Sequence, residues 1–317
     1  MKYLFFDVEC SNCFDGLGKI CEYGYVLMDE NFNTIKKDDI PMSPGRGERN
    51  RFHLKGRKDE KDLELAYEYD YYYEQPEFSY FYERIKNLMN DEETICFAYS
   101  MENDIHHLDG TCRRYKKEPL NYICYDVQKM VSKHLNLKNP IALRSACLEI
   151  VGSEVTISLQ EHLSRDDAEM TRLIFKKICE INGKSPSEML KEFDFAKTNS
   201  IDFIRRAKER ADRKRIRQIG FDLYRSVVSL DEELDKPENI GKRYNISGEL
   251  KTHLDELKIT IELVKSKGGL FSLRLDKTDF FIVYDEDNKK RLIEKMEKPF
   301  EGQFITYKEL IEQLAKI

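Results

Sequence analysis

Residues 3–10, near the start of the chain, begin with an apolar run and then alternate between apolar and polar positions from Phe6 to Cys10. Successive side chains of a β-strand point to opposite faces, so we expect Asp7 and Glu9 on one face and Phe6 and Val8 on the other. Two carboxylates held side by side repel each other unless a cation lies between them. Such oxygen ligands suit Mg²⁺ or Mn²⁺, whereas the simpler interpretation is a solvated strand end.

The apolar pattern further along the chain predicts a mixed α/β sheet. Apolar runs at residues 20–28 and 34–35 predict the second and third strands of a meander. Two later strands are predicted at residues 93–99 and 122–127. Helical periodicity follows or separates these strands at residues 78–89, 105–115, 127–150 and 170–178. Strands interleaved with helices are typical of an α/β sheet flanked by helices.

Two acids at predicted helix starts have a structural interpretation. Asn103 is predicted to cap the helix that contains Asp104, and Ser164 with Asp167 forms a predicted capping box. His162 has no comparable structural role, although it lies five residues before Asp167.

Length and composition predict a water-soluble chain with more than one domain. The 317 residues allow two domains of ordinary size, and 40% are hydrophobic and 35% charged. No apolar run approaches the roughly 18 residues of a membrane helix, and no basic and apolar signal pattern begins the sequence. We therefore expect a cytoplasmic protein without a membrane partner.

The eight cysteines are predicted to be free thiols. All of them lie between Cys10 and Cys179, which is unlike a disulfide-rich secreted protein. Cys10 and Cys13 form a CxxC pair with Cys21 nearby, but no second pair at ligand spacing supports a zinc site.

The charge distribution restricts contact with nucleic acid to local patches. The formal net charge is −6, so the chain as a whole does not attract polyanions. Residues 46–61 and 205–217 are rich in Arg and Lys, and the second run contains only Glu209 and Asp212 as acids. Each run is either a nucleic-acid contact or a solvated face.

Taken together, the strand 5–9, the segment Ile20-x-Glu22-x-Gly24, the acid Asp104 and the string His162-x4-Asp167 resemble the DEDD exonuclease superfamily, histidine subclass. The resemblance is to the proofreading (epsilon) subunits of bacterial DNA polymerase III and covers roughly residues 1–182. It implies a ribonuclease H-like sheet and 3′-to-5′ release of nucleoside monophosphates from single-stranded ends.

The resemblance also implies the role of each site residue. Asp7, Glu9 and Asp167 would hold a metal ion that activates water, and Asp7 would share a second ion with Asp104. His162 would accept the proton from water, as a base with a pKa near working pH. The implied cofactors are two Mg²⁺ (or Mn²⁺) ions, which in such sites lie about 3.5–4 Å apart.

The sequence differs from the family pattern at two places. Cys10-Ser11-Asn12 replaces the Thr-Thr-Gly that often follows the acidic pair. Residues 99–104 read Tyr-Ser-Met-Glu-Asn-Asp where the family usually has His-Asn-x-x-Phe-Asp, although Asp104 is retained. These differences concern the contacts to the terminal nucleotide.

The remainder of the chain is divided into a basic helical connector, residues 183–236, and a small α/β domain, residues 237–317. The second of these resembles a BRCT domain in its Ser-Gly after a first strand, its Gly268-Gly269 turn and its Lys-Thr-Asp before an apolar strand. No Trp is present, although one is usual in the last helix of that family. The resemblance implies binding of a protein partner or of DNA ends, with the phosphate contacts Ser247, Gly248, Lys289 and Lys290.

Three functions remain open at this point. The first is a DNA exonuclease of repair or replication that acts on single-stranded DNA or DNA ends. The second is a ribonuclease of the same superfamily acting on RNA ends. The third is a non-catalytic scaffold that recruits partners through its BRCT-like domain, which the five filled site positions disfavour.

Overall fold

The computed structural model describes residues 1–11, 18–45, 65–233 and 241–314. The chain forms two compact units, Met1–Arg206 and Ala207–Ile317. The domain boundaries predicted from the sequence, after residues 182 and 236, stay predictions. Cys13, the basic run at residues 46–61 and the predicted boundary at residue 236 lie outside the described residues.

The first unit contains a six-stranded mixed sheet in the order β3-β2-β1-β4-β5-β6. Its strands are β1 (Lys2–Ser11), β2 (Lys19–Asp29), β3 (Thr34–Pro41), β4 (Thr94–Ala98), β5 (Ile123–Asp126) and β6 (Lys197–Asn199). The first three strands pair antiparallel, β4 and β5 continue parallel to β1, and β6 pairs antiparallel with β5. This is a ribonuclease H-like arrangement, so the predicted mixed sheet flanked by helices is confirmed. The BRCT-like character of the second unit stays a prediction. The edge strand β6 was not predicted.

Helices cover both faces of this sheet. They are α1 (Tyr69–Glu74), α2 (Phe78–Met89), α3 (Glu102–Arg114), α4 (Val127–His134), α5 (Leu143–Ile150), α6 (Ser153–Ile157), α7 (Ser164–Asn182) and α8 (Pro186–Glu192). Alternation along β1 separates the two cores, because Phe5 packs with Phe97 and Phe175 on one face. Phe6 packs with Tyr23 and Tyr122 on the other. The strand that carries Asp7 and Glu9 is therefore fixed from both sides.

Two predicted helix caps are wrong. Helix α3 begins at Glu102 after Met101, without a side-chain cap, so Asn103 lies inside its first turn. Helix α7 begins at Ser164 itself after Leu163, again without a side-chain cap. The hydroxyl of Ser164 has a distant partner instead, which the sequence pattern around it does not show.

A long helix, α9 (Ser200–Glu233), begins in the first unit and continues into the second. The other elements of the second unit are β7 (Arg243–Ile246), α10 (Leu254–Ser266), β8 (Leu270–Phe271), β9 (Phe280–Val283), α11 (Glu286–Lys295), β10 (Gln303–Thr306) and α12 (Tyr307–Leu314). The four strands pair parallel in the order β10-β9-β7-β8. The second unit is thus a small α/β domain with its own core.

The described part of the chain contains no helix with the length and apolar character needed to cross a bilayer. The seven described cysteines are free thiols, as predicted, and most of them are buried.

Candidate metal and active site

Strand β1 presents Asp7 and Glu9 beside β2. In the antiparallel register, Asp7 lies opposite Gly24 and Glu9 lies opposite Glu22. The register shifts between Glu9 and Cys10, where β2 contains one extra residue, Cys21, in an irregularity of the β-bulge kind. Bulges commonly occur where a strand re-aims its side chains next to a site.

Gly24 allows helix α7 to approach the sheet at its first turn. A Cβ placed on Gly24 would lie 1.9 Å from the backbone nitrogen of Arg165 and 2.0 Å from the carbonyl carbon of Ser164. No side chain fits such a distance, so glycine is required for close backbone contact. The contact brings Asp167, one turn into α7, next to the carboxylates of β1.

Glu22 fixes the same helix start through hydrogen bonds. Its Oε1 accepts from the backbone N–H of Ser164 at 2.6 Å and from the Ser164 hydroxyl at 2.9 Å. Its Oε2 accepts from the Tyr72 hydroxyl at 2.5 Å. Glu22 is fully buried. Burial, together with the charge of Asp39, raises the pKa of Glu22 to about 8.

Asp39 on β3 extends this network. Its Oδ1 lies 3.1 Å from the Ser164 hydroxyl, and its Oδ2 accepts from the Tyr67 hydroxyl at 3.0 Å. One hydroxyl hydrogen cannot serve Glu22 and Asp39 together. A proton held between these two carboxyls therefore completes the network, in agreement with the raised pKa of each.

The first part of the candidate site consists of Glu9, His162 and Asp167. One potential ligand atom from each lies within 4.8 Å of the others, and the His162 Nδ1 is 3.6 Å from the Glu9 Oε1. The Oδ1 atom of Asp167 is buried and has no hydrogen-bond partner among the residues that the structure describes. A buried carboxylate oxygen without a donor is the group that a cation would satisfy.

Asp7 and Asp104 extend the site along one cavity of about 500 Å³. The cavity is lined by Asp7, Val8, Glu9, Cys10, Ser11, Gly18, Tyr99, Ser100, Asn103, Asp104 and His107. Burial raises the pKa of Asp7 well above its ordinary value, and the charges of Asp104 and Asp167 raise it further. Burial and the charge of Glu9 do the same for Asp104. The carboxyls of β1, α3 and α7 are therefore electrostatically close.

Among the described residues, His162 is the basic side chain in this cluster, and it offsets only part of the carboxylate charge. Burial, followed by the charge of Glu9, raises the pKa of Asp167 to about 7, although His162 acts in the opposite direction. The interaction of the His162 ring N–H with the Glu9 carboxylate is the main cause that raises the pKa of His162 to about 9. Converging carboxylates with raised pKa values fit a divalent cation, because a cation would restore their ionised forms. The residues present therefore fit the metal that the acidic pattern predicts.

Glu9 connects the two groups of predicted site residues: it lies with His162 and Asp167 in the ligand cluster, and it lines the cavity together with Asp7 and Asp104. The catalytic roles of these five residues stay predictions. Within the described ranges, the group of metal-ligating side chains found contains no cysteine, and Cys10 only lines the cavity. Glu22 and Gly24 belonged to the sequence motif, but their action on Ser164 and Arg165 was missed. Their spacing on β2 was the available signal.

The predicted phosphate contacts lie in the second unit. Ser247 is buried, and its Oγ accepts a hydrogen bond from the Leu250 N–H at 3.2 Å. Gly248 is exposed. Lys289 is 3.4 Å from the Glu286 carboxylate, and Lys290 is exposed. Phosphate binding by these residues stays a prediction.

Comparisons with known proteins give only distant structural matches. No family model and no curated protein matches the chain. E. coli exonuclease I in complex with a dA16 oligonucleotide is 14% identical, with a TM-score of 0.42 over 56% of this chain and 41% of that chain. A 3′-exonuclease described in 3′-end-specific recognition of a histone mRNA stem-loop is 10% identical, with a TM-score of 0.43 over 58% and 65% of the two chains.

A third match is the nuclease domain of 3′hExo, a DEDDh family member, bound to rAMP. It is 10% identical, with a TM-score of 0.42 over 58% of this chain and 94% of that domain. This chain spans less than half of exonuclease I and about two thirds of the stem-loop exonuclease. At these identities and TM-scores, the likeness assigns no activity to this chain.

Proposed function

We propose that this protein is a metal-dependent 3′-5′ exonuclease that releases nucleoside monophosphates from single-stranded DNA ends, in DNA repair or replication. The observation that supports it most is the buried, partnerless Oδ1 of Asp167 beside Glu9 and His162. Asp7 and Asp104 supply further carboxylates along the cavity that Glu9 also lines. Phosphodiester hydrolysis requires such a concentration of carboxylates to hold cations against a phosphate.

Asp7, Glu9, Asp104 and Asp167 would hold two divalent ions, Mg²⁺ or Mn²⁺. When bound, such ions neutralise phosphate charge and lower the pKa of water. The cavity of about 500 Å³ is within the size range of small-ligand sites and accommodates one terminal nucleotide. The carboxylates also repel the phosphate of a nucleotide from the cavity unless cations are present.

His162 is the proposed general base, which accepts a proton from the attacking water. A base must be neutral, yet the Glu9 carboxylate raises the pKa of His162 to about 9. At pH 7 the ring is therefore protonated while no metal ion engages Glu9. Engagement of Glu9 by a cation would lower the pKa of His162 toward its ordinary value, so base catalysis depends on prior metal binding.

His162 is also held in an uncommon backbone conformation. Its φ is +63°, in the left-handed region that non-glycine residues seldom adopt. Strain of this kind is often found at functional sites, where it aims a side chain. Here it accompanies a ring placed 3.6 Å from Glu9 and at the start of α7.

The second unit is proposed to be a BRCT-like domain that binds a DNA end or a protein partner. Its four parallel strands with interleaved helices support the proposal. A ribonuclease that acts on RNA ends, or a non-catalytic scaffold, would be distinguished from the DNA exonuclease by direct digestion.

The test is digestion of 5′-labelled single-stranded DNA and RNA of one sequence, side by side, with Mn²⁺, Mg²⁺ or EDTA. We expect a ladder shortened from the 3′ end, nucleoside monophosphate products, faster loss of DNA, and no digestion in EDTA. Faster loss of RNA would select the ribonuclease. No digestion of either polymer would contradict the enzyme assignment.

Adjacent acids on α7 give a matched pair of variants. Asp167→Asn should abolish digestion, whereas Asp166→Asn should retain most of it. Asp166 is equally buried, but it accepts from the Gln160 N–H at 3.0 Å and lies 3.2 Å from the Arg165 Nε, so it has partners outside the cluster. Equal activity of the two variants would contradict the proposed site.

A further inference from the structure

One face of helix α9 changes character along its length. Gly220, Tyr224 and Val228 recur at helical spacing and are buried in the second unit. Toward the N-terminus, Arg217, Arg213 and Arg210 continue the same face at spacings of four and three residues. These arginines are exposed, so the apolar stripe that anchors the helix becomes a row of cations. We call Arg210, Arg213 and Arg217 the arginine face.

A buried lysine adjoins the end of the arginine face. Lys251 is only 8% exposed, and its Nζ lies 4.1 Å from the Tyr224 ring centroid and 5.7 Å from that of Phe221. No carboxylate among the described residues forms an ion pair with Lys251. Burial, together with the charge of Arg217, lowers the pKa of Lys251 to about 8. The aromatic rings hold the ammonium group, but they do not neutralise it.

Arg217, at the C-terminal end of the arginine face, lies next to the exposed Gly248. A Cβ on Gly248 would lie 3.8 Å from the Arg217 Nη2, so the guanidinium group borders the turn that leads to Lys251. Gly220 packs on the same turn, since its own Cβ would lie 1.8 Å from the Lys251 carbonyl oxygen. Two cations are thus held together by backbone packing between α9 and the turn.

By contrast, a buried acid on α9 in the same unit does have a partner of opposite charge. The buried Asp231 forms an ion pair with Lys265 and accepts from the Phe271 N–H at 2.7 Å. A buried cation without an acid is costly unless an anion compensates it. Lys251, which has no acidic partner among the described residues, therefore marks the place in the second unit where an anion would compensate a buried cation.

We propose that the arginine face and Lys251 bind the phosphodiester backbone of single-stranded nucleic acid. Arg210 and Arg217 are seven residues apart, which is about 10 Å along the helix axis. One strand of a duplex carries a charge every roughly 3.4 Å, and an extended single strand spaces its phosphates more widely, so about two phosphates lie along this length. Guanidinium groups bind phosphate oxygens bidentately, and a row of three matches a linear polyanion rather than an isolated phosphate.

This inference goes beyond the proposed exonuclease and does not depend on hydrolysis. It concerns binding by the second unit, and it assigns residues different from the predicted contacts Ser247, Gly248, Lys289 and Lys290. A protein without nuclease activity could still bind strands through this face. The two proposals therefore fail separately.

The test measures binding of fluorescein-labelled single-stranded DNA and RNA to the full chain in EDTA, by anisotropy, over a range of salt concentrations. The double variant Arg210→Gln with Arg213→Gln should bind at least about 10-fold more weakly at low salt. The slope of log K against log[salt] should decrease in magnitude by about 1.4, at roughly 0.7 for each lost phosphate contact. DNA and RNA should both bind, because recognition is through the backbone.

The control removes two charges from the opposite side of the same helix. Lys208→Gln with Arg215→Gln causes the same change in net charge at exposed positions, and we expect less than a 2-fold loss. Equal losses in the two double variants would indicate diffuse attraction and overturn the proposed face. Unchanged binding in the arginine variant would overturn it as well.

Lys251 is tested separately because it is buried. Lys251→Gln should weaken binding about 5-fold with an unchanged circular dichroism spectrum, and Arg217→Gln, at an exposed position, should weaken it similarly. A phosphorylated peptide that competes as strongly as an oligonucleotide of equal charge would overturn the choice of nucleic acid. Full binding by both single variants would remove Lys251 and Arg217 from the site.

Discussion

The two units of the molecule hold opposite charges that lack partners. In the first unit, carboxylates from β1, α3 and α7 converge, and their pKa values are raised. In the second, Lys251 and Arg217 lie together, and the pKa of the lysine is lowered. The acidic cluster needs cations, and the basic pair needs anions.

The difference shows how each charge cluster is built. The acidic cluster is assembled from segments far apart in sequence, and it depends on the close contact at Gly24. The basic cluster comes mainly from one helix and an adjoining turn. Asp231, a buried acid of α9, is paired with Lys265, so the lack of an acidic partner for Lys251 is local within the second unit. A group of charged side chains that lack partners of opposite charge, in a unit where other charges are paired, indicates a binding site for a ligand of opposite charge.

The variant with the largest expected effect distinguishes a loss of catalysis from a loss of strand binding. Asp7→Asn should lower nucleotide release by about 10³-fold or more, because a shared metal ligand is lost. Arg217→Gln should leave turnover at saturating substrate within about 2-fold, since it lies in the second unit. Single-turnover release of labelled nucleotide measures both. An equal loss of nucleotide release in both variants would contradict the assignment of catalysis to the first unit and of strand binding to the second.

A second prediction tests the contact that builds the acidic cluster. Gly24→Ala should destabilise the protein by about 3 kcal/mol, because its Cβ would overlap the backbone of Arg165. Gly183→Ala, at the other end of α7, should cost about 1 kcal/mol, since only its positive φ of 61° opposes alanine. Urea unfolding compares the two variants. Equal costs would show that the close approach at Gly24 is not required.

A third prediction uses the charge of each cluster directly. The folded-state pKa of Asp167 is about 7, above its ordinary 3.8, so stability falls as pH rises from about 3.8 to 7 and the full cost of ionising Asp167 is present above pH 7. Asp167→Asn should therefore stabilise the metal-free protein by roughly 2 kcal/mol at pH 8. Lys251→Met should stabilise it by roughly 1 kcal/mol at pH 7, because an apolar side chain replaces a buried cation. Urea unfolding in EDTA measures both, and destabilisation by either variant would show that its charge is compensated.

The smallest predicted effect concerns Glu22, which lies behind the acidic cluster. Its pKa is raised to about 8 from 4.5, so the folded state binds its proton more tightly than the unfolded state does. Its contribution to stability therefore falls as pH rises from about 4.5 to 8. Glu22→Gln keeps a side-chain oxygen that accepts the hydrogen bonds from Ser164. It should reduce the change in the free energy of unfolding between about pH 4.5 and 8 by roughly 1 kcal/mol. Identical pH profiles of unfolding for the two proteins would contradict the shared proton.

Much of the first unit could be predicted because its signals are local. The apolar run at residues 3–6 and the alternation that follows it identified β1 and the face of Asp7 and Glu9, and apolar runs identified its neighbours. The positions of Asp104, His162 and Asp167 followed from their motif spacing. The mixed sheet then brought them together.

Other features could not be predicted because they depend on contacts distant in sequence. The pattern around Ser164 matches a local capping box, yet its hydroxyl bonds to Glu22, which is 142 residues away. The second unit illustrates the same limit, since Lys251 is unremarkable in sequence and becomes distinctive only when α9 packs on its turn. The basic run at residues 205–217 was visible, but its continuous 34-residue helix and its single arginine face were not.

The most direct test of the account is calorimetric titration of Mn²⁺ into the metal-free protein at pH 7, in buffers of different ionisation heat. Wild type and Asp166→Asn should bind Mn²⁺ and release about one proton, because Asp167 and His162 have raised pKa values that a cation lowers. Asp167→Asn should bind at least about 10-fold more weakly. Mn²⁺ binding that is equal in all three proteins, or that releases no proton, would contradict the proposed metal site.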